Sequence, residues 1–127
     1  MPIEVVREAE SLQSACEAAR RAGGEVAVVP TMGALHEGHV ALVEQAVRCG
    51  SLVVVTIFVN PTQFGPNEDF ARYPRDLSAD LARLEGTGAN LVFAPEAAEM
   101  YPEGDATRVN VTGLTDVLCG PFRPNHF

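Results

Sequence analysis

Val26-Ala-Val-Val-Pro30-Thr-Met-Gly-Ala-Leu-His36-Glu-Gly38-His39-Val-Ala-Leu-Val43 decides how this 127-residue chain is read. Val26 to Val29 is an apolar run with the character of a buried strand. From Glu37 to Arg48 the apolar residues Val40, Val43 and Val47 fall on one helical stripe, and Gly50 can close the helix. Between strand and helix lies a turn rich in Pro and Gly. His36 and His39 stand at the mouth of the helix with Gly38 between them.

That arrangement points to phosphate chemistry. The first turn of a helix carries unpartnered N–H groups and the positive end of the dipole, and both favour an anion. Residues three apart share a face, so both imidazoles can address one ligand. Gly38 has no side chain to hold that ligand away. Imidazole donates to phosphate oxygens and is tunable near neutral pH. A helical zinc site needs histidines four apart; these are three apart, and only His126 remains as a further imidazole, so no metal ligands are assigned.

Working outward, Leu52 to Val59 is a second buried strand one helix later. The unit is therefore βαβ, with parallel strands and a right-handed crossover. In such sheets ligands bind beyond the carboxyl ends of the strands. The histidine turn and the loop that starts at Asn60-Pro-Thr-Gln63-Phe-Gly65 are expected to meet there. Gln63 both donates and accepts, which suits a substrate with a hydroxyl and a carboxylate.

The flanks fit an α/β domain. Ile3 to Val6 reads as a short edge strand and Glu8 to Arg21 as a helix with Leu12, Ala15, Cys16 and Ala19 inward. Asp76 is a helix N-cap before Leu77, Leu81 and Leu84, and Gly86 to Gly88 ends that helix. Asn90 to Ala94 is a third buried strand, and Pro95 to Met100 allows one helical turn. Thr107 to Thr112 alternates like a half-exposed strand, and Leu114 to Leu118 suits a short helix.

Composition narrows the function classes. The net charge is −8, there is no lysine, and all nine cations are arginines. Nucleic-acid binding would call for a basic face. Without lysine there is no Walker P-loop and no Schiff-base chemistry within the chain. No apolar run is long enough to span a bilayer, and Met-Pro-Ile-Glu does not begin a secretory signal. Cys16, Cys49 and Cys119 are odd in number and form no Cys-x-x-Cys pair, as expected for reduced structural thiols in the cytoplasm.

The residues also carry a resemblance. Strand, Gly-containing turn and His-x-Gly-His look like the nucleotidyltransferase superfamily. The longer strings, Pro30-Thr-Met-Gly-Ala-Leu-His-Glu-Gly-His39 followed by Phe58-Val-Asn-Pro-Thr-Gln-Phe-Gly65, resemble the pantothenate synthetase (pantoate–β-alanine ligase) family. Tyr73-Pro-Arg, Met100-Tyr-Pro and Arg123-Pro-Asn-His-Phe127 extend the likeness. It implies a Rossmann-like, doubly wound parallel sheet. It also implies that residues 1–127 form an N-terminal nucleotide- and pantoate-binding domain, truncated before its last part and lacking the C-terminal domain.

The family joins pantoate to β-alanine with ATP through a pantoyl adenylate, releasing AMP and pyrophosphate. Carried over, Met32, Gly33, Ala34, Leu35, His36, Glu37, Gly38 and His39 would hold ATP, with His39 and His36 catalytic. Gln63, Asn60, Phe58 and Met32 would surround pantoate and β-alanine. Mg²⁺ would arrive with ATP, and a cytoplasmic homodimer is implied. The family's Gly-Glu-Lys-Asp stretch, second pantoate glutamine and Met-Ser-Ser-Arg-type loop would lie beyond Phe127, so the chain alone is expected to be inactive. The alternatives are a non-catalytic nucleotide- or pantoate-binding fragment and another adenylyltransferase of the superfamily. Asn60-Pro-Thr-Gln-Phe-Gly speaks against the latter.

Overall fold

Valine runs build the centre of the molecule, a four-stranded parallel sheet. The structure is a computed structural model that describes residues 2–65, 71, 75–123 and 126. Tyr73-Pro and much of the Arg123–Phe127 string therefore lie outside the described residues. The strands are β1 (Glu4–Val6), β2 (Val26–Thr31), β3 (Leu52–Ile57) and β4 (Leu91–Phe93). The helices are α1 (Ala9–Arg21), α2 (Glu37–Cys49), α3 (Leu77–Leu84) and α4 (Ala97–Met100). A 3₁₀ turn spans Pro61–Gln63.

Sheet order is β1-β4-β3-β2. From β2 through β3 to β4 the chain steps one strand at a time, and α2 and α3 cover one face. The step from β1 to β2 runs the other way across the whole sheet. A right-handed crossover then places α1 on the opposite face. The core divides accordingly. Val29, Val53, Val55 and Val92 pack with Val43 of α2 and Leu84 of α3. Val6, Val54, Leu91 and Phe93 pack against Leu12, Ala15 and Cys16 of α1. Consecutive residues on β3 thus serve opposite faces, as the period of two requires. Continuous valine is the composition of a strand buried on both sides. The doubly wound α/β class read from the sequence is the observed one.

Boundaries differ from the sequence reading by a residue or two, except near the end of the chain. Thr107 to Thr112 forms no strand. The alternation of Val109 and Val111 is present, but these residues are exposed and pair with no sheet edge. Leu114 to Leu118 is a set of turns rather than a helix. Gly113 and Leu118 both have positive φ, at 88° and 54°, which interrupts any helix there. Among the described residues no helix is long and apolar enough to cross a membrane.

Candidate functional site

The turn after β2 is held by short-range chemistry. The Thr31 hydroxyl donates to the Thr56 carbonyl at 2.8 Å and accepts from the Gly33 N–H at 3.2 Å. The chain then makes two successive left-handed residues, Gly33 at φ 84° and Ala34 at φ 52°. Glycine meets that geometry freely; alanine does not. Leu35 returns its side chain to the core, and His36 becomes the N-cap of α2.

At the helix start both imidazoles cap backbone N–H groups. His36 Nδ1 accepts from the Gly38 N–H at 3.1 Å, and His39 Nδ1 accepts from the His36 N–H at 3.2 Å. The rings lie 4.0 Å apart, tilted by 40°. A nitrogen that accepts carries no proton, so this network assigns the neutral rings as Nε2–H tautomers. Two N–H groups expected to await an anion are therefore already used by the histidines. What the helix mouth offers in their place is a pair of Nε2–H donors. Burial holds the His39 pKa below the ordinary histidine value, His36 beside it lowers it further, and Asp80 opposes both. The neutral form is thus favoured.

Gly38 has a different reason from the one its sequence position suggested. A Cβ there would meet His36 Cε1 at 2.9 Å and Nδ1 at 3.0 Å. Its missing side chain makes room for the capping imidazole.

The second motif comes in from the end of β3. Asn60 caps the 3₁₀ turn: its Oδ1 accepts from the Thr62 N–H at 3.0 Å and the Thr62 hydroxyl at 2.7 Å. Tyr101, after α4, donates to the same oxygen at 3.0 Å. The Gln63 carbonyl accepts from His126 Nδ1 at 2.7 Å and from Arg123 at 3.3 Å. The backbone of Gln63 is thereby tied down while its side chain borders the site.

Both motifs border one cavity of about 580 Å³ at the carboxyl ends of β2 and β3. Met32, Gly33, Ala34, His36, His39, Phe58, Asn60 and Gln63 all line it, with Pro30, Thr31 and Thr56. Three residues of the sequence-derived set do not line it. Leu35 is in the core, Glu37 is exposed on the first turn of α2, and Gly38 sits against His36. A second cavity of about 570 Å³ adjoins it across Met32, Gly33 and Phe58, with Arg7, Arg75 and Asp80 among its walls. Among the described residues no three His, Cys, Asp or Glu side chains gather as a metal site.

The pantoate-beta-alanine ligase family model matches residues 4–127. The chain belongs to that family. Pantothenate synthetase of Paramagnetospirillum magneticum is 54% identical over 125 residues, which are 98% of this chain and 44% of that protein. The Desulfitobacterium hafniense pantothenate synthetase is 59% identical over 108 residues, 85% of this chain and 38% of its own. The Thermus thermophilus enzyme superposes with a TM-score of 0.89 at 52% identity, covering 98% of this chain and 44% of that one. The Francisella tularensis pantoate-beta-alanine ligase, solved with beta-gamma ATP and beta-alanine, gives 0.88 at 33% identity, covering 98% and 48%. This chain thus spans under half the length of the curated relatives it matches.

Within this pantoate–β-alanine ligase segment, sequence reasoning passed over three kinds of residue. Asp80 is the first: a carboxylate on the apolar stripe of α3, only 5% exposed. Its signal was present, since a charge beside Leu77, Leu81 and Leu84 has to find a buried partner. Tyr101 and Thr31 are the second kind, hydroxyls that tie the site loops: Thr31 bridges two backbone groups and Tyr101 holds the Asn60 side chain. Arg123 and His126 are the third; they act across about sixty positions on Gln63, and no local pattern reports such a contact.

Proposed function

We propose that residues 1–127 are the nucleotide- and pantoate-binding unit of an ATP-dependent ligase that condenses pantoate with β-alanine. The observation that carries this is the meeting of the His36–His39 helix mouth and the Gln63 loop on one cavity. In the first step a pantoate carboxylate oxygen attacks the α-phosphorus of ATP. The bond to the bridging oxygen breaks, giving pantoyl adenylate and pyrophosphate. In the second, the β-alanine amine attacks the acyl carbon and AMP leaves with the bonding pair. Neither step needs a protein nucleophile; both need alignment and relief of negative charge.

The residues divide that work. His39 and His36 present Nε2–H donors to phosphate oxygens, and Met32, Gly33 and Ala34 form the cavity floor beneath the nucleotide. Gln63 takes pantoate through its amide, with Asn60 holding the loop and Phe58 and Met32 as apolar walls. Leu35, Glu37 and Gly38 act through the backbone and helix that carry the imidazoles. Mg²⁺ accompanies ATP as part of the substrate and shares the phosphate charge. The working enzyme is a cytoplasmic homodimer. Support comes from the family membership and from the Francisella tularensis relative that holds a nucleotide and β-alanine. The test is calorimetry of this chain with ATP and with pantoate, then AMP release on adding β-alanine. No heat with either ligand would defeat the reading; binding without AMP release would reduce the chain's role to binding.

A further inference from the structure

Asp80 lies on α3, more than forty residues from the histidine turn, and yet is bonded to its backbone. Its Oδ1 accepts from the Leu35 N–H at 2.8 Å and its Oδ2 from the Ala34 N–H at 3.2 Å. The residue is buried, only 5% exposed. It stands in the first turn of α3, where the helix dipole favours a negative charge. It has no ion-pair partner among the described residues, so those two N–H groups are the compensation for burying it.

The turn it meets is one the chain would not hold unaided. Ala34 is left-handed at φ 52°, and Gly33 before it is left-handed at φ 84°. A Cβ on Gly33 would meet Asp80 Oδ2 at 3.1 Å, so the carboxylate is packed directly against the turn as well as bonded to it. A non-glycine residue stays in that region only where its surroundings over-determine it. The bidentate carboxylate does so from outside the cavity that the imidazoles line. Immediately after the turn, His36 starts α2.

We infer that Asp80 is a positioning residue: its carboxylate fixes the left-handed Gly33–Ala34 turn and thereby aims the Met32–His39 loop and its imidazoles at the cavity. It does not line the cavity shared by His36, His39 and Gln63. The inference rests on the ATP-binding reading only for the ligand it positions the loop around; the conformational part stands on the hydrogen bonds and dihedrals alone.

The experiment is Asp80→Asn, read by backbone amide exchange and by ATP calorimetry. The amide is isosteric, but one of its two positions is a donor facing an N–H. Amide exchange at Ala34 and Leu35 is expected to quicken about tenfold, the scale of one unsatisfied buried donor, and ATP affinity to fall by a similar factor. Exchange at Val54 and Val92 in the sheet should not change. Adding Ala34→Gly, which accepts a left-handed φ without help, should recover much of both losses. Should Asp80→Asn fail to fold, Asp80→Ser removes the opposed donor and gives the same reading. Sheet amides that loosen together with Ala34 and Leu35 in both variants would make Asp80 a structural residue only. Loosened loop amides with ATP affinity intact, or no rescue by Ala34→Gly, would equally overturn the inference. A wild-type chain that binds no ATP would defeat the nucleotide reading instead, and the amides and their rescue would then decide this one.

Discussion

Reciprocal capping makes the histidine pair more than two adjacent donors. Each ring accepts a backbone N–H of the helix start through Nδ1, so the proton of each neutral ring is on Nε2. Replacing His39 with Ala in a full-length family enzyme carrying this segment removes one such donor and also the cap on His36. Loss of a preorganised donor to transition-state charge costs roughly 3–4 kcal/mol of barrier. Adenylate formation, followed by pyrophosphate release, should slow accordingly, and near-normal rates would remove His39 from the mechanism. Protonation has the same target. A ring that gains a proton on Nδ1 can no longer accept from the backbone. The His39 pKa is lowered in the folded chain, chiefly by burial, so the unfolded chain binds that proton first. The stability this contributes is complete above the ordinary histidine value of 6.5 and is lost as pH falls through the folded one. Imidazole ¹⁵N spectra across pH should show a His39 midpoint below 6.5 and an Nε2–H tautomer above it. A midpoint above the ordinary value would contradict the packing described.

At the scale of elements, the site is a meeting of two loops held by different contacts. The loop after β2 is fixed by a helix, a hydroxyl and a buried carboxylate. The loop after β3 is fixed by Asn60, Tyr101 and the contacts of Arg123 and His126 with Gln63. Gln63→Ala should therefore weaken pantoate binding by about 1–3 kcal/mol, the worth of a buried polar contact, and leave ATP binding alone. Calorimetry with each ligand separates the cases, and equal damage to both would make the loop structural. The sequence exposed the parts of this arrangement that are local. Val26–Val29 and Leu52–Val59 are continuous apolar runs, and His36-x-Gly38-His39 opens a periodic helix. Asp80, Tyr101 and His126 act at a distance, through single hydrogen bonds that leave no period behind. Thr107 to Thr112 misled for the converse reason. Alternation describes a strand with one buried face, and no sheet edge lies beside Val109 and Val111 for that face to use.

The whole molecule is a thin core under a heavy charge. Val54 has no exposure at all and lies between the sheet's centre and α1. Val54→Ala should cost roughly 2–3 kcal/mol, transfer and cavity together. Urea unfolding measures that cost, and a change below about 0.5 kcal/mol, the scale of an ordinary surface substitution, would mean the site collapses freely. The charge bears on activity. The chain carries −8 overall, and among the described residues neither arginine nor lysine lines the cavity between the two loops. Two imidazoles match only part of the charge that develops on a transferring phosphoryl group. The isolated chain should bind ATP and pantoate without measurable AMP release. Turnover by this chain alone would show that its helix mouth suffices.

The sheet order also sets a schedule for assembly. β1 pairs only with β4, Glu4 beside Leu91 and Val6 beside Phe93, whereas β2 pairs with β3 across a single helix. Of these four strands the earliest in sequence is thus the last to find its neighbour. Closing the longer loop costs more entropy, and non-local pairing comes late. Until Phe93 emerges, β1 is an apolar strand with both edges open, and α1 has half a surface to cover. The pairing of β2 with β3 across α2 needs none of that. A newborn chain can therefore pair β2 with β3 first and close the far side of its sheet afterwards, while the contacts of Tyr101, Arg123 and His126 that fix the Gln63 loop come last.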